Sequence, residues 1–547
     1  MAGKVGSWVK RQEFREEASG RWDVIVVGGG MTGAGVFREA ARAGYRVLLL
    51  EQRDFAWGTS SRSGKLVHGG LRYLAQGQIR TTWHSVRERE KLLQMYSGLV
   101  ENLTFVAPVY DLFSGILLRA GLSVYDTMAC RRTRQYHKAE RLSALVPDID
   151  RTDLRGGFTF EDAQTDDARL VYRVIREGEK AGGTAVNYIR VEELVRDGRG
   201  RVLGLTAVDA ESGRTLELQA RAVVNATGVW ADNLRGQLGE KPRLRKLRGS
   251  HLILPRQRLP LDQALSFRHP QDHRPLYAMP WLDVTLVGTT DLDHEFSLSE
   301  EPRISRQEGQ YLLEGLNRCF PAARLTAGDV TATFAGVRPV LNTGRIDPSK
   351  EARDYAIWSQ EGLVTVTGGK LTTFALLAKG AMREIAKWAG SPKVFLSGRE
   401  AALGARRTSG EASAENSENR ENNKNRENNK NSRGILATAF LARRYGDDAP
   451  AVWQRAQEDG GERIPGTDHL WAEVIWSAES EQVLHLEDLM LRRTRWGLLL
   501  PAGGRHILPQ LRERLSQALG WDGRRWEEEE VRYLSLWNAA YNPSLLG

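Results

Sequence analysis

Three glycines and one acidic residue near the N-terminus have the spacing of a dinucleotide-binding site. Gly28, Gly30 and Gly33 form a G-x-G-x-x-G pattern. This pattern permits a tight turn, a close approach of the backbone to a pyrophosphate, and close packing of a helix on a strand. Glu51 closes the next apolar run, where a carboxylate can accept hydrogen bonds from ribose hydroxyls. Glycine-rich turns that bind no ligand can share this pattern, so the surrounding strands and helix must show whether the turn binds a dinucleotide.

The elements around these residues predict one βαβ unit. Residues 22–27 read Trp-Asp-Val-Ile-Val-Val, a buried strand, and a helical stretch then leads to a second strand ending at Glu51. The first turn of that helix offers free N–H groups to phosphates. Strand, turn, helix and acid agree, so the sequence predicts a bound dinucleotide, either FAD or NAD.

A loop rich in hydroxyl groups and glycines follows the second strand. Long ordered loops in compact domains are often functional, whereas the plainer interpretation is a solvated loop with a helix cap. Its candidate polar groups are Thr59, Ser60, Ser61, His68, Arg72 and Tyr73.

Two later segments repeat the sequence of an apolar strand followed by glycine. The strand ending at Thr227 and Gly228 suits close approach by a ligand at the carboxyl edge of a parallel sheet, although a bare turn would look similar. The strand from Leu363 leads into a double glycine and a helix, whose N-terminus would stabilise negative charge on a ligand.

Composition limits the class of protein. The 547 residues allow two to four domains, and 41% hydrophobic residues suit ordinary globular cores. A formal charge of +9 favours anionic partners: phosphorylated metabolites, membrane lipids or nucleic acid. Nucleic acid is disfavoured because no RNA-binding motif is recognisable. Cys130 and Cys319 are isolated, so we expect no disulfide and no metal site, and no apolar run is long enough for a signal peptide or spanning helix.

The composition changes abruptly between residues 405 and 434. This stretch contains two tandem Arg-Glu-Asn-Asn-Lys-Asn hexads and can bury almost nothing. It predicts a disordered linker, with an asparagine-rich aggregation-prone tract as the alternative. Residues 435–547 show apolar side chains at helical spacing and predict a small all-α domain. In it, the arginines of residues 492–495 suit either a membrane surface or a solvated basic face.

With these segments in view, the chain resembles the FAD-dependent glycerol-3-phosphate dehydrogenases. The likeness is close over residues 20–395 and looser beyond. The segments that carry it include Gly58-Thr-Ser-Ser61, Lys65-Leu-Val-His-Gly-Gly-Leu-Arg-Tyr-Leu74, Asp166-Asp-Ala-Arg-Leu-Val171, Asn225-Ala-Thr-Gly-Val-Trp230, Gly249-Ser-His251, Val287-Gly-Thr-Thr-Asp291, Gly336-Val-Arg-Pro-Val340, Arg353-Asp-Tyr355 and Gly368-Gly-Lys-Leu-Thr-Thr373.

The resemblance implies an α/β fold in which a Rossmann-like FAD-binding domain carries a mostly antiparallel substrate-binding sheet, followed by the all-α domain. The two interleaved domains would occupy residues 1–404. The FAD part is expected at about 20–245 and 335–400, and the substrate sheet at about 246–334 with earlier strands.

The implied activity is oxidation of sn-glycerol 3-phosphate to dihydroxyacetone phosphate by hydride transfer to flavin N5, with a quinone receiving the electrons. An oxidase that uses oxygen and an amine-oxidising relative of the same fold are the alternatives. The resemblance also allows a homodimer, and a cytoplasmic protein that sits peripherally on the inner face of the cell membrane.

The same resemblance assigns roles to residues. His251 and His68 are the candidate bases for the hydroxyl proton, and Arg338 would hold the developing carbonyl oxygen. The phosphate would be bound by Arg72, Tyr73, Arg353 and Lys370. The expected FAD contacts are Gly28, Gly30, Gly33, Glu51, Thr59, Ser60, Ser61, Lys65, Leu66, Thr227, Gly228, Gly369, Lys370 and Leu371.

Overall fold

The computed structural model describes residues 14, 20–71, 74, 77–345, 351, 355–391, 440–465, 467 and 469–547. Within them the chain forms two large sheets, flanking helices and a C-terminal set of helices. This confirms the predicted class: an α/β nucleotide-binding part, a mostly antiparallel second sheet and an all-α C-terminal part. The linker expected at 405–434 lies outside the described residues.

The first sheet is built around the predicted βαβ unit. Its strands are β1 (Trp22–Val27), β2 (Val47–Leu50), β6 (Thr184–Val186), β7 (Ile189–Arg196), β8 (Val202–Asp209), β9 (Thr215–Asn225), β16 (Tyr355–Gln360) and β17 (Leu363–Gly368). The order β16-β17-β9-β1-β2-β6 is parallel except at β16, and β7 and β8 form an antiparallel extension of β9. Parallel strands are covered on both faces, which explains their uninterrupted apolar runs.

Eight helices accompany the two sheets within the described residues. They are α1 (Met31–Arg42), α2 (Ile79–Met95), α3 (Leu112–Ala129), α4 (Ala139–Leu145), α5 (Asp167–Lys180), α6 (Ala231–Gly236), α7 (Arg306–Cys319) and α8 (Phe374–Ala389). Helix α1 packs between α5 and α8 on one face of the first sheet. This packing fixes the direction in which the N-terminus of α1 points.

The second sheet consists of strands from three parts of the chain. They are β3 (Val100–Val109), β4 (Gln135–Lys138), β5 (Gly156–Thr165), β10 (Leu244–Pro255), β11 (Ala264–Arg268), β12 (Pro275–Trp281), β13 (Val284–Gly288), β14 (Leu292–Asp293) and β15 (Ala332–Leu341). All pairings are antiparallel except that of β11 with β3. Because β15 pairs with β10 along its whole length, the second sheet extends to Leu341.

The C-terminal helices pack directly on the second sheet. They are α9 (Ala449–Glu458), α10 (Trp471–Ser480), α11 (Leu486–Asp488), α12 (Trp496–Leu499), α13 (Leu508–Leu519) and α14 (Gly523–Ala540), with a π-helical turn at Leu489–Arg493. Trp471, Trp496 and Trp526 share one hydrophobic core with Trp281 and Phe334 of the sheet. The helical part therefore shares its main core with the sheet, while a smaller cluster around Leu441 and Val452 lies within the helical part itself.

The arginines of the C-terminal part are buried, which corrects both interpretations of residues 492–495. Arg492, Arg493 and Arg495 are each 1% exposed. Arg492 and Arg493 both bind the carboxylate of Asp54, and Arg495 binds that of Asp167. The basic run forms neither a membrane surface nor a solvated face, because its charges are neutralised by acids of the nucleotide-binding part.

His485 of the C-terminal part contacts Glu211 of the nucleotide-binding part. The titration of this histidine makes the stability of the protein depend on pH. His485 lies 2.8 Å from a Glu529 carboxylate oxygen and 3.0 Å from one of Glu211, beside Arg525 and Arg532. Burial disfavours its charge, but the two carboxylates prevail and raise the pKa of His485 from 6.5 to about 9. A raised pKa stabilises the fold fully below the unfolded value, near pH 6.5, and this contribution disappears as pH rises through 9.

Glu211→Gln should therefore lower the melting temperature at pH 6 to 7, and the difference from the unaltered protein should shrink toward pH 10. Glu192→Gln is the matched control, since Glu192 on β7 pairs with Arg190 in a half-exposed ion pair. Thermal unfolding across pH 6 to 10 tests this. A Glu211→Gln deficit that stays constant with pH would contradict it.

Candidate active site

A cavity of about 1570 Å³ lies between the two sheets. The carboxyl ends of β1, β2, β9 and β17 form one wall, and β3, β10, β12 and β15 contribute the opposite wall. In open parallel sheets this edge is where ligands bind. The lining includes these predicted residues: Gly28, Gly30, Glu51, Thr59, Ser60, Leu66, His68, Thr227, Gly228, His251, Arg338, Gly369, Lys370 and Leu371.

The glycine turn leaves room only for backbone, as a dinucleotide site requires. Gly28 has φ +109°, and a Cβ there would lie 2.5 Å from the Ala226 carbonyl oxygen. A Cβ on Gly33 would overlap the Gly28 carbonyl, so Gly33 supports the turn from behind and does not line the cavity. Glu51 accepts a hydrogen bond of 2.7 Å from the Gly29 N–H, which holds its carboxylate at the cavity edge. These residues fit the pyrophosphate and ribose of FAD.

The hydroxyl-rich loop closes over the start of α1. Ser60 Oγ accepts a hydrogen bond of 2.9 Å from the Met31 N–H, and the Thr59 hydroxyl donates to the Val337 carbonyl of β15. Ser61 and Lys65 of this loop are both buried, and the Lys65 ammonium donates a hydrogen bond of 2.6 Å to the Ser61 carbonyl. The Lys65 ammonium binds Asp167 at 2.9 Å and does not line the cavity. Lys65 is therefore placed to hold the loop from behind.

His251 is held in the cavity wall by packing against two neighbouring strands. It lies on β10 opposite Gly288 of β13 and Phe334 of β15. Its ring stacks on Phe334 at 4.5 Å, and a side chain at Gly288 would overlap the imidazole. Neither ring nitrogen has a hydrogen-bond partner within the described part of the chain, although the residue is 2% exposed.

Burial lowers the pKa of His251 well below its ordinary value, and the charges of Arg338 and Lys65 lower it further. The ring is therefore neutral at physiological pH. A neutral imidazole with a free nitrogen in a cavity can accept a proton from a bound molecule.

Arg338 is fixed beside this histidine by two hydrogen bonds. Its Nη1 donates to Asp291 at 3.0 Å and its Nη2 to the Thr289 hydroxyl at 2.9 Å. A Cβ on Gly249 would overlap the guanidinium, so the absence of a side chain there makes room for it. Asp291 and Thr289 therefore orient the guanidinium of Arg338 on β15.

The remaining predicted residues fall into two groups. His68 and Lys370 line the cavity; the His68 carbonyl accepts from Thr372, and Lys370 Nζ lies 3.2 Å from Ser85 Oγ. Arg72, Tyr73 and Arg353 lie outside the described residues, so their roles stay predictions. In the described part of the chain, no group of three or more His, Cys, Asp or Glu side chains is arranged to hold a metal ion.

Several lining residues were missed from the sequence. Trp57 and Trp230 pack with ring centroids 5.7 Å apart, and both face the cavity. Trp230 closes the Asn225 to Trp230 segment, which was a usable signal. Arg274 also lines the cavity, but it belongs to none of the motifs that the sequence analysis singled out.

The fold and the site together define a flavin-dependent oxidoreductase. The family model described as "FAD dependent oxidoreductase" matches residues 23–379, and that described as "C-terminal domain of alpha-glycerophosphate oxidase" matches residues 415–526. The chain belongs to the FAD-dependent oxidoreductase family.

Curated relatives extend this likeness over most of the chain. The aerobic glycerol-3-phosphate dehydrogenase of Bacillus subtilis (strain 168) is 33% identical over 500 residues, covering 86% of this chain and 87% of the relative. That of Staphylococcus haemolyticus is 30% identical over 487 residues, covering 86% of each.

Solved structures share the fold. The glycerol-3-phosphate dehydrogenase from Bacillus halodurans, complexed with FAD, aligns with a TM-score of 0.76 at 24% identity and covers 98% of both chains. L-alpha-glycerophosphate oxidase from Mycoplasma pneumoniae aligns at 0.55 and 18% identity, covering 68% of this chain and 98% of the oxidase.

Proposed function

We propose that the chain oxidises sn-glycerol 3-phosphate to dihydroxyacetone phosphate and passes the electrons to a quinone. The curated relatives are named for the first of these activities. The observation that carries the proposal is His251, a buried neutral base without a hydrogen-bond partner among the described residues, which lines the same cavity as the glycine turn, Arg338 and Lys370.

Bound FAD supplies the hydride acceptor for the carbon that bears the hydroxyl. The residues of this chain do the rest. His251 takes the hydroxyl proton, and Arg338 donates a hydrogen bond to the oxygen as it becomes a carbonyl. Lys370 attracts the phosphate, with Arg72 and Arg353 as its predicted partners.

Anaerobic mixing of the flavin-loaded protein with substrate tests the oxidation. Glycerol 3-phosphate is expected to bleach the flavin, whereas glycerol and glycine are expected to act far more slowly. Rapid bleaching by glycine instead would favour the amine-oxidising alternative. No bleaching by glycerol 3-phosphate would overturn the proposal.

The electron acceptor is tested on the reduced protein. A soluble quinone analogue should restore the flavin colour faster than air-saturated buffer does. The oxidase alternative is supported by the name of the family model that matches residues 415–526. Faster reoxidation of the flavin by oxygen than by the quinone analogue would show that the protein is an oxidase.

An exposed apolar face supports contact with a membrane, where a quinone would be found. Within the described residues no helix is long and apolar enough to cross a bilayer. On α3, however, Leu112, Phe113, Ile116 and Leu117 are 67%, 77%, 61% and 61% exposed. Contiguous exposed apolar side chains of this kind mark interaction surfaces.

The occupant that we propose for this face is an anionic lipid surface. Helix α2 packs against α3 and exposes Ile79 and Trp83, and Arg80 and Arg119 beside these side chains are exposed cations. An amphipathic helix with neighbouring basic residues suits a lipid headgroup region. Ser114 and Leu118 of α3 also line the cavity, so the cavity reaches this helix.

Ile116→Glu is expected to weaken binding to vesicles containing anionic lipid by about 10- to 100-fold, because it removes a side chain worth ~1.5 to 3 kcal/mol of apolar burial. Flavin reduction by glycerol 3-phosphate should be unchanged. Val531→Glu is the matched control, since Val531 is 67% exposed on α14. Vesicle co-sedimentation gives the measurement.

The competing occupant is a second copy of the chain. If Ile116→Glu splits a dimer in sedimentation velocity and leaves vesicle binding intact, the face is a dimer interface and the lipid proposal fails.

A further inference from the structure

The hydroxyl-rich loop, residues 57–68, has a side that faces the cavity and a side that is packed into protein. Its Trp57, Ser60 and Ser63 line the cavity that holds the dinucleotide turn. Ser61 and Lys65 of the same loop are buried and do not line the cavity. The conformation that the loop presents to a bound flavin therefore depends on what holds its buried side.

One carboxylate holds this buried side. Asp167, the first residue of α5, accepts hydrogen bonds from the Ser63 N–H at 3.0 Å and from the Ser63 hydroxyl at 2.7 Å. The same carboxylate binds the Lys65 ammonium at 2.9 Å. Because Lys65 also donates to the Ser61 carbonyl, Asp167 fixes the loop from Ser61 to Lys65.

The C-terminal part reaches the same point through Arg495. This arginine binds the Asp167 carboxylate, and its Nε lies 2.9 Å from Asp166 Oδ1. Its Nη1 donates to the Ser61 carbonyl at 3.2 Å and to the Leu491 carbonyl at 2.8 Å. Arg495 is 1% exposed and does not line the cavity. It therefore joins the C-terminal chain, the start of α5 and the loop without facing the flavin itself.

A tyrosine of the C-terminal part contacts the loop at a second point. Tyr541 directly follows α14, and its hydroxyl accepts a hydrogen bond of 3.3 Å from Arg62 Nε. Arg62 Nη1 donates to the Gly58 carbonyl at 3.2 Å, and Glu301 binds the same guanidinium. Arg62 and Gly58 line the cavity, whereas Tyr541 does not. Two C-terminal residues thus hold a loop whose other side fits FAD.

We propose that Arg495 and Tyr541 are positioning residues through which the C-terminal helices keep the hydroxyl-rich loop in its FAD-binding conformation. This gives the C-terminal part a role in retaining the cofactor. The apparent affinity for a ligand falls in proportion to the fraction of the protein that is in the binding conformation. The proposal concerns the cofactor alone, so it does not depend on which substrate the flavin oxidises.

A purely structural role of these contacts gives a different result. If they only hold the C-terminal helices on the rest of the molecule, their loss lowers the melting temperature and leaves the FAD dissociation constant of the folded protein unchanged. Arg169 of α5 provides the matched control, because this buried arginine also contacts the C-terminal part. It binds Glu481, and its Nη2 donates to the Arg493 carbonyl at 3.1 Å. Both partners lie outside the loop.

The test is the FAD dissociation constant of the flavin-loaded protein, measured from the flavin fluorescence released on serial dilution. Arg495→Met is expected to raise this constant ~10- to 100-fold, as for the loss of charge-assisted hydrogen bonds. Arg495→Lys should recover part of the loss, because a cation remains beside Asp167. Tyr541→Phe, which loses only a hydroxyl group, is expected to raise the constant ~2- to 10-fold. Arg169→Met should lower the melting temperature and keep the FAD dissociation constant.

Circular dichroism and the melting temperature show whether each variant is folded. If Arg495→Met does not fold, Arg495→Lys and Tyr541→Phe decide, because both keep a side chain of similar size. Weaker FAD binding in these variants with normal binding in Arg169→Met supports the proposal. Unchanged FAD binding in the folded Arg495 and Tyr541 variants, or an equal loss in Arg169→Met, would overturn it. No substrate is added, so a failure of the proposed oxidation leaves this test unaffected.

Discussion

Replacing His251 with alanine is expected to slow flavin reduction by glycerol 3-phosphate by roughly 10²- to 10⁴-fold at saturating substrate, the usual contribution of a general base. The reason is that His251 lines the cavity from a paired strand, and its ring nitrogens have no hydrogen-bond partner in the described part of the chain. Stopped-flow bleaching of the flavin under anaerobic conditions measures the loss.

The pH profile gives an independent check on the same residue. Burial first, and Arg338 next, lower the pKa of His251 below 6.5. A base with a lowered pKa keeps its proton-accepting form to lower pH. The limiting rate in the unaltered protein should therefore stay level down through pH 6.5 and fall only below it, and that fall should be absent in His251→Ala.

His68→Ala and His137→Ala complete the comparison. His68 lines the cavity and is the other candidate base, whereas His137 lies on β4 at the edge of the second sheet. His137→Ala should keep the full rate. A large loss in His68→Ala with a normal rate in His251→Ala would show that His68 is the base.

The parts of the site that could be predicted are those encoded within short segments. The G-x-G-x-x-G turn works through neighbouring residues, and Gly28, Gly30 and Glu51, which spacing alone singled out, all line the cavity. His251 and Arg338 belong to different segments, and only the pairing of β10 with β15 brings them together. Which strands pair depends on the whole sheet, so the pairing of β10 with β15 cannot be predicted from the sequence of either strand.

The buried arginines show what local sequence does not reveal. Residues 492–495 look like a basic surface, because a charge pattern does not distinguish solvation from pairing with a distant acid. The partners, Asp54 and Asp167, lie more than 300 residues earlier in the chain. A usable hint was that Asp54 stands shortly before Thr59 in the sequence, between two buried apolar segments.

The same pairing predicts the largest change in stability. Asp54 is fully buried, accepts hydrogen bonds from Arg492, Arg493, Tyr172 and Asn187, and follows the strand that ends at the dinucleotide site. Burial alone would raise the pKa of Asp54, but the Arg493 and Arg492 guanidinium groups prevail and hold it well below its ordinary value. The carboxylate is therefore charged at neutral pH, and both arginines share it.

Asp54→Ala is expected to lower the free energy of unfolding by about 3 to 5 kcal/mol, because Arg492 and Arg493 lose the buried carboxylate that they share. Arg492 then keeps Asp488 as its near partner, and Arg493 keeps the Glu481 carboxylate at 3.8 Å. Flavin should also be released more readily, since the next residue, Phe55, packs beside Gly29 of the dinucleotide turn. Denaturant unfolding and flavin release on dilution measure the two effects.

The matched control is Asp262→Ala, which removes the acid of an exposed ion pair with Arg256 and should change neither the stability nor the flavin release. If Asp54→Ala is as stable as the unaltered protein, the C-terminal helices are held by their apolar core alone.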